Sequence, residues 1–140
     1  MSLTTSKSAQ RVPATVERLI AALGRRGITV FARIDHAAGA RQAGLELPDE
    51  ELVIFGNPKV GTPLMKVDAT VGYELPLRML IWDARGQTMI GYRRPTELRA
   101  EFEVADQLET LRRMETLLVQ IVAEISGPDD RESAGVQPIS

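Results

Sequence analysis

Between Pro13 and Arg26 the apolar residues Val16, Leu19, Ile20 and Leu23 recur at three- and four-residue steps. That spacing puts them in one stripe and predicts a helix. Pro13 suits a first helical position, and Gly27 suits the left-handed residue that closes one. The pattern then changes period. Ile28-Thr29-Val30-Phe31-Ala32-Arg33-Ile34 is β-branched and aromatic, which predicts a central strand. Asp35 stands where a capping carboxylate is wanted, ahead of a short helix from His36 to Ala43 closed by Gly44. Gly39 weakens that helix.

After the connector Leu47-Pro48-Asp49-Glu50, residues Glu51 to Phe55 predict a second buried strand. Asn57 caps the next helix, Pro58 takes its first position, and Pro63 restarts or kinks it. Asp68 to Glu74 fits no single element, and Gly72 signals a break. Leu75-Pro76 opens a hairpin of Leu77–Trp82 and Gln87–Arg93 about the turn Asp83-Ala84-Arg85-Gly86. Pro95 ends it. The rest, to Ser126, is mostly helix. Leu108, Leu111, Met114, Leu118, Ile121 and Ile125 make its apolar face, Asp106 to Ser126 forms one long helix, and Gly127-Pro128 stops it.

The order predicts an α/β (α+β) fold, a two-layer sandwich of a mixed sheet containing a β-hairpin. Helices pack mainly on one face, and the long C-terminal helix completes the layer. Residues 1–12 are a flexible or edge-strand N-terminus, with a short strand around Ser2–Ser6. Residues 13–126 form a single domain, and 127–140 read as a disordered tail. Sheet order is not contained in the pattern.

Composition narrows the function classes. The chain has 140 residues, the size of one domain. Its 17 basic and 19 acidic residues give a net charge of -2, against a nucleic-acid-binding role that would need a net basic surface. The absence of cysteine removes disulfides, thiolate nucleophiles and cysteine-ligated metals. No apolar run approaches the roughly 18–20 residues that span a membrane, and the first residues lack a signal-peptide core. The expectation is a soluble, cytoplasmic protein without membrane or nucleic-acid partners and without a cofactor.

Candidate chemistry is sparse. His36 is the only histidine, hence the only side chain whose ordinary pKa suits proton transfer near neutrality. At a strand end it is a candidate acid, base or ligand, with Asp35 beside it as a candidate ligand-binding residue; the plainer alternative is that Asp35 caps the helix and His36 packs or hydrogen-bonds at the same turn. The segment Gly56–Gly61 is the candidate binding element. Free N–H groups at a helix start, with Asn57, Lys59 and Thr62 nearby, suit a carboxylate or phosphate. Against this stands a tight strand-to-helix turn and nothing more, and the segment is not a P-loop, because Thr62-Pro63 follows Gly61. Arg78 is a third candidate contact, or a surface residue. Trp82 and Tyr92 can stack on a planar ligand or serve as core. No metal-ligand spacing is present.

Three groups of residues resemble a known family. They are Phe31-Ala32-Arg33-Ile34-Asp35-His36-Ala37-Ala38-Gly39-Ala40, then Phe55-Gly56-Asn57-Pro58-Lys59 with Gly61-Thr62-Pro63-Leu64-Met65, then Leu75-Pro76-Leu77-Arg78 with Trp82 and Tyr92. Together they resemble the domain of unknown function 302 family of small prokaryotic α/β domains, in the right order over about residues 13–95. The resemblance implies a compact α/β domain and no established activity or catalytic residue set.

Two readings follow. One is a homodimeric ligand-binding or interaction domain, with a small anionic ligand as candidate. The other is a small enzyme acting on an anionic metabolite. Asn57 and Lys59 would hold the anion and His36 would move the proton. The second requires a pocket joining His36 to the Gly56–Gly61 turn.

Overall fold

The stripe Val16, Leu19 and Leu23 is fully buried along α1 (Val12–Arg25), which Gly27 terminates at φ +67°. Only the positive-φ freedom of glycine makes that stop cheap. The fold is seen in a computed structural model that describes residues 3–128, so the tail expectation for 129–140 lies outside the described residues. The remaining elements are β1 (Thr4–Ser8), β2 (Thr29–Asp35), α2 (His36–Gln42), β3 (Glu50–Gly56), α3 (Pro58–Val67), β4 (Leu77–Ala84), β5 (Gln87–Tyr92) and α4 (Leu108–Ile125). Short 3₁₀ segments at Ala69–Tyr73, Pro95–Ala100 and Ala105–Gln107 connect them. The first of these is the stretch around Gly72 whose pattern matched neither helix nor strand.

The strands form one sheet in the order β1-β5-β4-β3-β2. Every pairing is antiparallel, so in this detail the sheet is not mixed. β2 is an edge strand and not a central one. Its β-branched run reads as buried on both sides, yet Phe31 is 52% and Ile34 41% exposed. The β2–β3 register shifts between Val30 and Ala32. Such a bulge kinks an edge strand and turns Phe31 outward.

The two faces differ. Val53, Phe55, Met79, Ile81, Ile90 and Tyr92 point to the face covered by α1 and α4 and pack with Leu118, Ile121 and Ile125 in the main core. A second cluster of Leu64, Val71, Leu98, Val104, Leu111 and Met114 joins α3 and the 3₁₀ segments to the start of α4. Leu77 packs against both clusters. Burying these side chains supplies most of the stability, at about 1.5–3 kcal/mol for each large one. Among the described residues, no helix is long and apolar enough to cross a membrane.

Charged pairs pin the edges. The Arg33 guanidinium donates from Nε to Glu51 Oε2 at 2.7 Å and also reaches Glu17 Oε1 at 3.1 Å. The Glu51 hydrogen bond raises the Arg33 pKa more than burial lowers it. Arg93 bridges Glu74 at 2.7 Å and Glu101 at 2.8 Å. Burial works against the Arg93 charge, but the two carboxylates together keep its pKa above the ordinary value. Burial pushes the Tyr92 hydroxyl pKa up, with Glu115 adding to it.

Candidate functional site

The Gly56–Gly61 turn forms as its residues dictate. Asn57 adopts an extended backbone and caps α3, its Oδ1 accepting from the Lys59 N–H at 2.9 Å. Pro58 follows in the first turn. The Asn57 carbonyl accepts from the N–H groups of Val60 at 2.9 Å and Gly61 at 3.2 Å. Pro58 has no N–H to offer. The first turn of α3 therefore keeps no backbone donor for an anion, which removes the main physical reason for an anion at this helix start.

The turn borders a different feature. A cavity of about 320 Å³ opens where the two apolar clusters meet. The sheet supplies Phe31, Phe55, Gly56 and Leu77, with Ile28 just before β2. Pro58, Val60, Gly61 and Met65 of α3 form a second wall, with Leu75 and Pro76 beside them. Met114 and Leu117 of α4 form the third. Among the described residues, Asn57 is the one polar residue that lines this cavity. Phe31 and Met65, 52% and 37% exposed, stand where it meets solvent. Its size reaches the range of small-molecule sites, and an apolar lining with one polar group matches their usual make-up.

Glycines shape the cavity. A Cβ on Gly56 would come within 3.3 Å of the Pro76 Cβ and 3.9 Å of the Phe31 ring. One on Gly61 would lie 3.5 Å from Leu75 and 3.8 Å from the Met65 methyl. Side chains at either position would grow into the space between these walls.

The other candidates lie elsewhere. In the β2–β3 ladder Thr29 faces Gly56, whereas Asp35 faces Glu51. At about 3.3 Å per strand residue, His36 lies roughly 17 Å from the turn. Asp35 accepts the Ala38 N–H at 2.8 Å and caps α2, and His36 is exposed at its first position. Among the described residues His36 lines neither this cavity nor the smaller hollow beside Arg78, and antiparallel pairing sends the ends of β2 and β3 in opposite directions. Lys59 and Thr62 are exposed on α3 and do not line the cavity. Arg78 is exposed on β4, beside a small hollow with Arg93, Arg94 and Glu74. That hollow has about 30 Å³, room for one water and no ligand. Arg93 Nε is buried nearby without a hydrogen-bond partner. Tyr92 is in the main core, and Trp82 lies on the sheet face away from α1 and α4. Among the described residues, no three His, Cys, Asp or Glu side chains are placed to hold a metal.

Of the candidate site residues, the structure thus brings Gly56 and Asn57 to one cavity and leaves His36, Asp35, Lys59, Thr62 and Arg78 outside it. Phe31, Phe55, Leu75, Met114 and Leu117 carry no site signal of their own, since each reads in the sequence as ordinary apolar filling. Phe55 abutting Gly56 was the local signal that an aromatic wall meets the turn.

Comparison with known proteins agrees with the fold. The pattern of the family described as Domain of unknown function DUF302 matches residues 3–124. The crystal structure of an uncharacterized conserved protein DUF302 from Bacillus stearothermophilus superposes with a TM-score of 0.78 at 23% identity. The match covers 89% of this chain and 98% of that one, and it speaks to fold alone. Two curated relatives share 49% identity over 81 residues, 58% of this chain. They are named Fluoride-specific ion channel FluC 1 of Brucella suis biovar 1 and FluC 2 of Brucella melitensis biotype 1. The matched stretch spans 32% and 30% of their respective lengths, so the chain spans about a third of the relatives it matches.

Proposed function

Because this chain belongs to the Domain of unknown function DUF302 family, whose activity is not established, we propose a function from its own cavity: it is a small-molecule-binding domain that takes an apolar ligand. The observation that carries this reading is the cavity of about 320 Å³ in which Asn57 is the single polar lining residue among the described residues. A ligand fills it with its apolar body and turns one polar group toward Asn57. Met65 and Met114 give the walls the soft, adaptable character that suits varied ligand shapes. The lack of a free donor in the first turn of α3 argues for this ligand over an anion. His36 is outside the cavity, so the acid–base enzyme loses the geometry it needed.

In this reading the domain works as a homodimer. The support is the second face of the sheet, where neither α1 nor α4 covers Leu52, Leu80 and Trp82 and where Ile34 is 41% exposed. The channel activity in the names of the curated relatives is not extended to this chain, because the shared stretch is a third or less of those proteins.

The test is a fluorescence titration with N-phenyl-1-naphthylamine, an uncharged apolar dye of suitable size. The wild type should bind it saturably, near one dye per chain, with blue-shifted emission. Gly61→Leu should weaken binding about tenfold or more while circular dichroism stays unchanged. No saturable binding by the wild type, or equal binding by a folded variant, contradicts the proposal.

A further inference from the structure

We infer that the uncovered face of the sheet is the homodimer interface, and that its two-fold axis runs across the strands over Leu52 and Leu80. This rests on the homodimer reading above and not on the cavity. The ladder register places the face in three rows. Ile34, Leu52, Leu80, Gly91 and Thr5 stand side by side across all five strands. On the hairpin side of that row lie Glu50, Trp82, Met89 and Lys7. On the other side lie Ala32, Ile54 and Arg78.

The centre of this face is apolar. Ile34 is 41% exposed, and Leu52, Ile54, Leu80, Trp82 and Met89 are all half-buried. Gly91 keeps the surface flat, because the Trp82 ring lies over the place where a Cβ would stand. With strands about 4.8 Å apart and about 20 Å long, the face projects to roughly 400 Å². An apolar centre on an open sheet face suits a second sheet, since sheets stack face to face at about 10 Å.

Charge selects the partner and the axis. Glu50 and Arg78 sit at opposite ends of this face on neighbouring strands. Neither makes an ion pair among the described residues: the pairs present are Arg25 and Arg26 with Glu124, Arg33 with Glu17 and Glu51, Arg93 with Glu74 and Glu101, and Arg113 with Glu109. A two-fold axis across the strands exchanges the two ends. It lays Glu50 of each copy beside Arg78 of the other, twice, around a Leu52–Leu80 centre. The same operation sets each Trp82 ring over the opposing Arg78, a favourable cation–π arrangement. A two-fold axis along the strands over the same Leu52–Leu80 centre would instead press Arg78 onto Ile54 and Glu50 onto Trp82, leaving both charges unpaired. Of these two operations over the Leu52–Leu80 centre, the first makes the surface complementary to itself, as an isologous dimer requires.

The experiment is sedimentation equilibrium of the wild type, Glu50→Arg, Arg78→Glu and the double variant. Arg78 is exposed and Glu50 half-buried, so the swaps leave the fold intact, with circular dichroism as the check. A wild-type dimer at micromolar concentration, about tenfold or more weakened by either single swap and restored by both, is expected. A dimer indifferent to the single swaps, or a double variant that stays monomeric, overturns this interface while leaving a homodimer through another face. A monomeric wild type overturns the interface and the homodimer reading together, without touching the cavity.

Discussion

The indole of Trp82 lies across Gly91 of the neighbouring strand so closely that a Cβ on Gly91 would stand 2.9 Å from ring atom Cζ3. The Leu3 Cδ1 methyl closes in from the other side at 3.1 Å. Gly91→Ala therefore pushes the ring away from the sheet, since its far end can swing where the backbone cannot. The expected cost is about 1–3 kcal/mol. Trp82 is the sole tryptophan, so a shift of the intrinsic emission reports the movement directly. Unchanged emission and melting would show that the ring does not rest on Gly91.

Gly61 separates stability from binding. It lies inside α3, where glycine is less favourable than alanine by about 0.5–1 kcal/mol. An alanine methyl meets Leu75 and Met65 at ordinary contact distance. Gly61→Ala should then raise the unfolding free energy by about that amount while narrowing the cavity and weakening dye binding. A residue present only for packing would not show the two effects with opposite sign.

How much of this was legible in the chain depends on the range of the interaction. The α1 stripe and the Asn57-Pro58 cap are local events, and both form as their residues indicate. The edge position of β2 was not legible, because β-branched residues look alike in a central strand and on an exposed sheet face. The separation of His36 from Gly56 follows from the pairing of Asp35 with Glu51 and Thr29 with Gly56. Strand partners are not contained in a local pattern. The cavity needs Met114 and Leu117 of α4 beside Gly61 of α3, a meeting no helical periodicity reports.

Arg33 partners a nearly buried carboxylate. Glu51 is 9% exposed and receives the Arg33 Nε hydrogen bond. Arg33→Ala strands that carboxylate and should cost about 1–2 kcal/mol, less than a fully buried pair because Arg33 itself is partly solvated. Adding Glu51→Gln should recover part of the loss. Chemical denaturation of the two single variants and the double variant measures the coupling.

Asp68 ties the 3₁₀ segment after α3 to the loop before α4. Its Oδ1 accepts from the Thr70 hydroxyl at 2.6 Å and the Thr70 N–H at 3.0 Å, and its Oδ2 from the Glu103 N–H at 2.9 Å. The Thr70 hydroxyl, then the two backbone donors, hold its pKa below the ordinary 3.8. A depressed carboxylate stabilises the fold above pH 3.8 and loses that contribution as pH falls through its lower folded value. Melting curves of Asp68→Asn should accordingly lack part of the wild-type loss of stability below about pH 4. Parallel curves for the two proteins would refute the assignment.

His36 is exposed and outside the cavity. His36→Ala should change stability by no more than about 0.5 kcal/mol and leave dye binding untouched. Asp35→Ala should cost about 1 kcal/mol through loss of the α2 cap. A fall in dye affinity in His36→Ala, with melting unchanged, would return His36 to the site.

Native mass spectrometry of gently purified protein tests the cavity most directly, run side by side on the wild type and Gly61→Leu. The account predicts a defined added mass on the wild type, released as an apolar compound on denaturation and absent from the folded variant. A wild type without added mass that also fails to take up the apolar dye, or an equal mass on both proteins, would contradict it.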